Sequence, residues 1–153
     1  KMIRQLGDDG VKFNLALSLH AANDKKRSEI MPINETNNIK SLIDALNYFY
    51  NKTKNDITFE YILFKDENDS IQDADDLIRI YRQVPVHLIN IIEYNPIDNA
   101  SYRKPDREVT QKFMDYLAAH RVNVRLRISR GKDIDAACGQ LANKELSPSV
   151  DMI

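Results

Sequence analysis

The sequence predicts an α/β fold, in which mostly parallel strands alternate with helices in a curved, partial β/α barrel. Segments with an apolar residue at every second position alternate with segments whose apolar residues recur every three to four positions. The intervening helices are long enough to cross back over a sheet, and such crossovers join parallel strands. Chemistry in these folds gathers at the carboxyl ends of the strands, so site residues are expected there.

The predicted elements follow one another without a linker. The first strand covers residues 13–20 and separates apolar side chains on one face from small or polar ones on the other. After it come a helix over 39–50, a strand over 57–64, a helix behind a Ser70/Asp73 capping box, a strand over 86–93, a loop over 97–105, a helix capped by Asp106, a strand over 123–128 and a short helix over 133–142. One domain is expected over 1–143, followed by a mobile tail over 144–153.

Composition narrows the class of protein. With 153 residues, 42% of them hydrophobic and 29% charged, the chain is long enough for one soluble domain with a core. No apolar run approaches the roughly 20 residues that span a bilayer, so no membrane is expected. A single cysteine indicates a reducing, cytoplasmic setting. The chain begins at Lys1 and runs almost at once into a packed-looking segment, and we expect it to be part of a longer protein.

A metal site within this chain is not expected. The three histidines, His20, His87 and His120, fall in different elements, and no pair has the spacing of metal ligands. The four glycines do not form a phosphate-binding loop. Basic residues cluster late in the chain, where Arg125 and Arg127 share one face of the last strand. They either grip phosphates or blunt an edge strand against pairing with another chain.

Two further features have open interpretations. Ser18 and His20 point to the same strand face, where they either bind a cofactor, act as nucleophile and base, or cap the following loop. Cys138 lies on the apolar stripe of the last predicted helix, as a buried free cysteine commonly does. Its neighbour Gly139 would let a ligand approach, and the nearby Lys132 would favour a thiolate.

Several segments, taken together, carry a resemblance to one family. They are Leu17-Ser-Leu-His-Ala21 with Asn23 and Asp24, Arg27 with Met31-Pro-Ile-Asn34, Glu60-Tyr61, Tyr94-Asn-Pro96, and Arg130-Gly-Lys-Asp-Ile-Asp-Ala-Ala-Cys-Gly-Gln-Leu141. They resemble the radical S-adenosylmethionine methyltransferases that methylate C2 of an adenine in large-subunit ribosomal RNA and in some transfer RNAs. The resemblance spans residues 13–143 and implies the C-terminal portion of a radical-S-adenosylmethionine partial β/α barrel.

The resemblance also implies roles for individual residues. Ser18, Leu19, His20 and Asn95 would contact S-adenosylmethionine, and Cys138 would become S-methylated. In the family, a deoxyadenosyl radical then abstracts hydrogen from that methyl group, and the resulting carbon radical adds to the adenine. A thiol held on a helix suits a one-carbon arm that must reach an unpaired base.

Part of the family's machinery has no counterpart in these residues. The three cysteines that bind a [4Fe–4S] cluster, a second catalytic cysteine and a glycine-glutamate motif lie N-terminal to the Ser-Leu-His strand in the family. The chain alone is therefore expected neither to bind the cluster nor to turn over, and its exposed sheet edges would allow self-association. The alternatives are a relative that methylates C8 of adenine, a β/α module that binds RNA through Arg125 and Arg127, and a hydrolase fragment that uses Ser18 and His20.

Overall fold

The computed structural model describes residues 1–96, 101–128 and 151–152. The elements are helix α1 (Met2–Asp8), strand β1 (Leu15–Ser18), helix α2 (Asp24–Ile30), a 3-10 helix (Pro32–Glu35), α3 (Ile39–Thr53), β2 (Ile57–Leu63), α4 (Ile71–Tyr81), β3 (Val86–Glu93), α5 (Arg107–Ala119), β4 (Val124–Arg127) and the two-residue strand β5 (Asp151–Met152). Strands and helices alternate along the chain, as the sequence predicts.

All strand pairs of the sheet are parallel, in the order β4-β3-β2-β1-β5. Helices α3, α4 and α5 provide the crossovers between β1, β2, β3 and β4. This arrangement confirms the predicted α/β class with parallel strands alternating with helices. It also brings the carboxyl ends of β1, β2 and β3 to one edge of the sheet.

Helices cover one face of the sheet. Leu17, Phe59, Tyr61 and Ile89 belong to a core cluster that also contains apolar residues of α3, α4 and α5, so these helices pack on that face. The other face, which we call the polar face, carries a row of polar side chains beside a small buried apolar cluster of Ile62, Phe64, Ile92 and Tyr94. Residues aligned across a parallel sheet place their side chains on the same side. On the polar face such an alignment runs through Ser18, Glu60, Asn90 and Arg125, and we call these four residues the polar row.

Two short helices were not predicted from the sequence. Helices α1 and α2 have seven residues each, which is too short for an apolar period to stand out. The backbone N–H of Lys26 donates to the Asn23 side chain at 2.8 Å, and this cap begins α2. Helix α1 packs closely on α3, since a Cβ added at Gly7 would lie 3.3 Å from Phe49 Cα.

Some predicted boundaries differ from the structure. The first strand ends at Ser18 because the backbone turns at His20, whose φ is +58°. Asp106 takes the N-cap position of α5, but its side chain accepts no helix N–H and pairs instead with Lys65 at 3.6 Å. The predicted helix over 133–142 lies outside the described residues. So does the predicted tail over 144–153, apart from Asp151–Met152, which pair with β1.

No helix in the described ranges is both long and apolar enough to cross a membrane.

The predicted capping box at α4 is present and supports a test of stability. The Asp73 N–H donates to Ser70 Oγ at 3.1 Å, and the Ser70 N–H donates to Asp73 Oδ2 at 3.0 Å. We expect Ser70→Ala to lower the free energy of unfolding by about 1 kcal/mol, because the first turn loses a capping partner. The measurement is urea denaturation of the purified protein. The control is Ser41→Ala at an exposed position of α3, which should change the free energy of unfolding by less than about 0.5 kcal/mol.

Candidate functional site

The end of β1 places alternate side chains on opposite faces of the sheet. Ser18 is half-buried on the polar face, whereas the Leu19 side chain is 1% exposed and lies in the core. The Leu19 N–H donates to the Glu60 carbonyl at 2.9 Å, and the Leu19 carbonyl accepts from Arg27 at 3.1 Å. A cofactor contact by Leu19 therefore stays a prediction, and it has to involve the backbone rather than the side chain.

His20 ends the strand in a left-handed backbone conformation, with φ +58°. This conformation is uncommon for a residue other than glycine, although histidine is among those that adopt it more often. The turn brings the imidazole to the neighbouring strand, where Nδ1 accepts the Ile62 backbone N–H at 3.0 Å. A side chain thus supplies the acceptor for a β2 amide at the point where β1 leaves the sheet.

The hydrogen bond and the burial of His20 determine its protonation state. Burial, with a further effect of the positive charge of Arg27, lowers the pKa of His20 from 6.5 to about 4, so the ring is neutral at physiological pH. Because Nδ1 is an acceptor, the single proton is on Nε2, which can only donate. A ring in this state has no free lone pair to take a proton from Ser18. The arrangement therefore disfavours the nucleophile-and-base interpretation of Ser18 and His20.

Arg27 holds the segment that follows β1. Its side chain comes from α2 and is 2% exposed. The guanidinium donates to the Ser18 carbonyl at 3.3 Å, the Leu19 carbonyl at 3.1 Å, Asn34 Oδ1 at 2.8 Å and the Asn37 carbonyl at 3.3 Å. The planar, five-donor fork of arginine suits such a cluster of acceptors, and a lysine ammonium would not reproduce it. The backbone of Ser18 and Leu19 is thereby tied to α2 and to the 3-10 helix.

Asn68 gives the turn at His20 a second support, from the β2 side. It is fully buried, and its side-chain amide donates to the His20 carbonyl at 2.6 Å and the Ile62 carbonyl at 2.7 Å. Its Oδ1 accepts the Phe64 N–H at 2.7 Å. One side chain therefore satisfies three backbone groups between the ends of β1 and β2, which a buried apolar residue could not do.

Glu60 is the charged member of the polar row and is 5% exposed. Its Oε1 accepts from Asn90 Nδ2 at 3.0 Å, and its Oε2 lies 3.7 Å from Arg127 Nη1. Burial raises the pKa of Glu60, while the hydrogen bond from Asn90 and the charge of Arg127 lower it, with a net rise. The polar face thus holds a carboxylate in a setting that opposes its charge.

Asn95 follows the end of β3, at the same edge of the sheet as His20. Strand β2 separates β1 from β3, which puts their axes roughly 10 Å apart, twice the spacing between neighbouring strands. Beside Asn95, Tyr94 contacts Phe64 edge-on with ring centroids 5.0 Å apart, and Phe64 stacks on Tyr102 at 4.4 Å. The structure therefore brings Ser18, His20 and Asn95 to one end of the sheet, as the sequence predicts.

The roles of several site residues are not predicted by the sequence. Arg27, Glu60 and Asn34 stand in the segments that carry the family resemblance, but no contact was expected of them, and Asn68 and Asn90 carried no local signal at all. Cys138 and the whole of its predicted helix over 133–142 lie outside the described residues, so its role stays a prediction. Within residues 1–96 and 101–128, no group of three His, Cys, Asp or Glu side chains is arranged to hold a metal ion.

Comparison with known proteins relates the chain to RNA methyltransferases. A probable dual-specificity RNA methyltransferase RlmN of Christiangramia forsetii is 50% identical over 144 residues, which are 94% of this chain and 41% of that protein. The protein of the same description from Cytophaga hutchinsonii is 53% identical over 146 residues, 95% of this chain and 40% of that protein. No family model matches the chain. The chain thus spans about two fifths of the length of these relatives.

A solved structure agrees with these matches. The crystal structure of a radical SAM methyltransferase from Sphaerobacter thermophilus superimposes with a TM-score of 0.82 at 38% sequence identity, covering 91% of this chain and 40% of that one. The fold and the resemblance that the sequence predicts are both confirmed.

The environment of His20 predicts a pH dependence of stability. The folded state lowers the His20 pKa from 6.5 to about 4, so the unfolded chain binds more protons than the folded chain between these values. The contribution of the neutral His20 ring to the free energy of unfolding is therefore fully present above pH 6.5. It decreases as the pH falls toward 4, by about 3 kcal/mol at most. Urea denaturation between pH 4.5 and 7 measures the loss.

The matched variant for this test is His20→Asn. Asparagine tolerates a positive φ, and its Oδ1 can replace Nδ1 as acceptor for the Ile62 N–H, but it does not titrate. Compared with this variant, the wild-type protein should lose stability more steeply as the pH falls. Parallel curves for the two proteins across this range would contradict a buried neutral His20.

Proposed function

We propose that this chain, which is homologous over nearly its whole length to about two fifths of an RlmN-type dual-specificity RNA methyltransferase, is the C-terminal, cofactor-binding portion of such an enzyme. The whole enzyme would transfer a methyl group from S-adenosylmethionine to C2 of an adenine in ribosomal and transfer RNA. The observation that carries the proposal is the match to these RNA methyltransferases along 94–95% of the chain. It includes the segment that builds the end of β1.

The residues at the carboxyl end of the sheet suit S-adenosylmethionine. This cofactor carries hydroxyl, amino and carboxylate groups together with an apolar thioether arm and an aromatic base. The Ser18 hydroxyl can donate or accept, and the neutral His20 ring offers an N–H donor from Nε2. Together with the backbone of Leu19 and with Asn95, these residues are the ones we propose to hold the cofactor.

The chain itself would contribute to the reaction by keeping the cofactor-binding groups in fixed positions. Arg27 and Asn68 fix the backbone from Ser18 to His20 through hydrogen bonds on either side of the turn. The reacting groups of a methyl transfer must be aligned within fractions of an ångström, and a preorganised backbone achieves this before the ligand arrives. S-adenosylmethionine and a [4Fe–4S] cluster, whose ligands would lie outside this chain, supply the methyl group and the radical chemistry. Cys138 is the residue we propose to carry the methyl group.

Methylation at C8 of adenine is the second candidate within the family. The two reactions differ in which carbon of the adenine receives the methyl group. The relatives are named dual-specificity RNA methyltransferases RlmN, and this name favours methylation at C2 over methylation at C8. We therefore place C2 first, with ribosomal and transfer RNA as the substrates and the cytoplasm as the location.

The test of this function uses the whole enzyme that contains this chain. The anaerobically reconstituted protein should methylate ribosomal RNA fragments and transfer RNA in the presence of S-adenosylmethionine, and mass spectrometry of digested RNA should find 2-methyladenosine. Cys138→Ala should abolish the product while leaving the binding of S-adenosylhomocysteine within about twofold, because the thiol carries the methyl group but does not hold the cofactor. A product methylated at C8, or full activity of Cys138→Ala, would refute this assignment.

A second prediction concerns the chain by itself. It has one cysteine, whereas a [4Fe–4S] cluster takes four protein ligands in the common case and three in enzymes that leave one iron open. We expect reconstitution of the isolated chain with iron and sulfide under anaerobic conditions to give no stoichiometric cluster absorbance. The whole enzyme, treated in the same way, is the positive control. A stoichiometric cluster on the isolated chain would show that the ligands are not where we place them.

A further inference from the structure

Glu60 Oε2 is a buried side-chain atom without a hydrogen-bond partner. Among the described residues it is the one side-chain oxygen or nitrogen of this kind. The residue is 5% exposed and lies in the middle of β2, facing the polar side of the sheet. Buried polar groups in native proteins are nearly always paired, so an exception in a candidate site calls for a functional explanation.

The neighbours of Glu60 satisfy only half of its carboxylate. Asn90 donates to Oε1 at 3.0 Å, whereas the nearest guanidinium nitrogen of Arg127 is 3.7 Å from Oε2, beyond hydrogen-bond distance. The Arg127 side chain is 57% exposed, so its charge near the carboxylate is largely hydrated. Because the Arg127 side chain is exposed, it can turn toward solvent when a ligand donor takes its place beside the buried carboxylate.

The surroundings of Glu60 are typical of a binding site rather than of a purely structural pair. Burial raises the pKa of the Glu60 carboxyl group, so the folded environment disfavours its charged form. A buried carboxyl group whose pKa is perturbed by desolvation, at a sheet face with other polar side chains, is a common mark of a functional site. Its aligned neighbour on β1 is Ser18, which our proposed function places against the cofactor.

We propose that Glu60 is a cofactor-binding residue, whose Oε2 accepts a hydrogen bond from a hydroxyl or amino group of the adenosyl part of S-adenosylmethionine. This inference rests on the proposed function. A carboxylate oxygen can only accept, which restricts the ligand group to a donor. The adenosyl part offers three such donors, namely the two ribose hydroxyls and the adenine amino group. On binding, the donor takes the position on Oε2 that Arg127 only approaches.

Glu60→Gln in the whole enzyme tests the contact with little change in shape. The amide keeps an oxygen for Asn90 and replaces the accepting Oε2 by an N–H₂ group, which opposes a donor on the ligand. We expect the affinity for S-adenosylhomocysteine, measured by calorimetry, to fall about ten- to a hundredfold, as for a lost hydrogen bond to a charged group. This readout does not require turnover. The control is Glu93→Gln, the same change at the end of β3, where strand alternation puts the side chain on the face opposite Glu60 and the carboxylate pairs with Lys104. It should leave the affinity unchanged.

Analogues of the ligand identify the donor and separate direct contact from indirect effects. Wild-type enzyme should bind the 2′-deoxy, 3′-deoxy or 6-deamino form of S-adenosylhomocysteine about tenfold or more weakly than the parent compound, for at least one of the three. The Glu60→Gln enzyme should bind the analogue that lacks this donor as tightly as it binds the parent compound. Any preference of the wild-type enzyme for the parent over the remaining analogues should persist in this variant. Arg127→Met should retain every preference of the wild-type enzyme, because Arg127 does not receive the donor.

Each other outcome overturns the inference. If wild-type enzyme discriminates against none of the three analogues, no adenosyl donor reaches Oε2, whether or not the variant folds. If Glu60→Gln weakens binding but keeps every discrimination, Glu60 acts only through Arg127 or the fold. If it weakens binding of RNA but not of S-adenosylhomocysteine, the donor belongs to the target nucleotide. If wild-type enzyme binds no S-adenosylhomocysteine, the proposed function fails together with the inference about Glu60. Failure of the inference alone leaves the binding of S-adenosylhomocysteine by the wild-type enzyme intact.

Discussion

The candidate site depends on how the backbone leaves the sheet at the end of β1. The left-handed turn at His20 breaks the ladder with β2, and the His20 ring and the Asn68 amide replace the missing backbone partners. From the side of α2, the Arg27 guanidinium donates hydrogen bonds to the carbonyl oxygens of Ser18 and Leu19. Each of these side chains satisfies backbone groups that would otherwise be buried and unpaired, at a cost of roughly 1–3 kcal/mol for each group. The geometry of the polar face follows from this turn.

The turn is also connected to the helical layer. Lys26, which precedes Arg27 in α2, pairs with Asp73 at 2.7 Å, and Asp73 is the buried partner of Ser70 in the capping box of α4. The position of α2 over the end of β1 is thus coupled to the beginning of α4.

Buried polar groups in this structure fall into two kinds. The side chains of Arg27 and Asn68 make four and three hydrogen bonds to their surroundings, and they stabilise one backbone path. Glu60 is half engaged, and burial opposes its charge. Fully satisfied polar networks rigidify a fold, whereas a half-satisfied buried group marks a place where stability has been given up for another purpose. The two kinds meet at the carboxyl end of β1, where Arg27 and Asn68 bind the backbone of residues 18–20 and Glu60 is aligned with Ser18.

The sequence by itself determined the fold class, because periodic apolar positions and the alternation of strands with helices are local properties. It also placed Ser18, His20 and Asn95 at strand ends, since the end of a periodic segment can be seen in one dimension. Only the tertiary structure decided what surrounds them. Glu60 meets Asn90 through strand pairing across 30 residues of chain, and Asn68 reaches His20 across 48. Such contacts depend on register and on the path of the backbone between elements, and no local pattern encodes them.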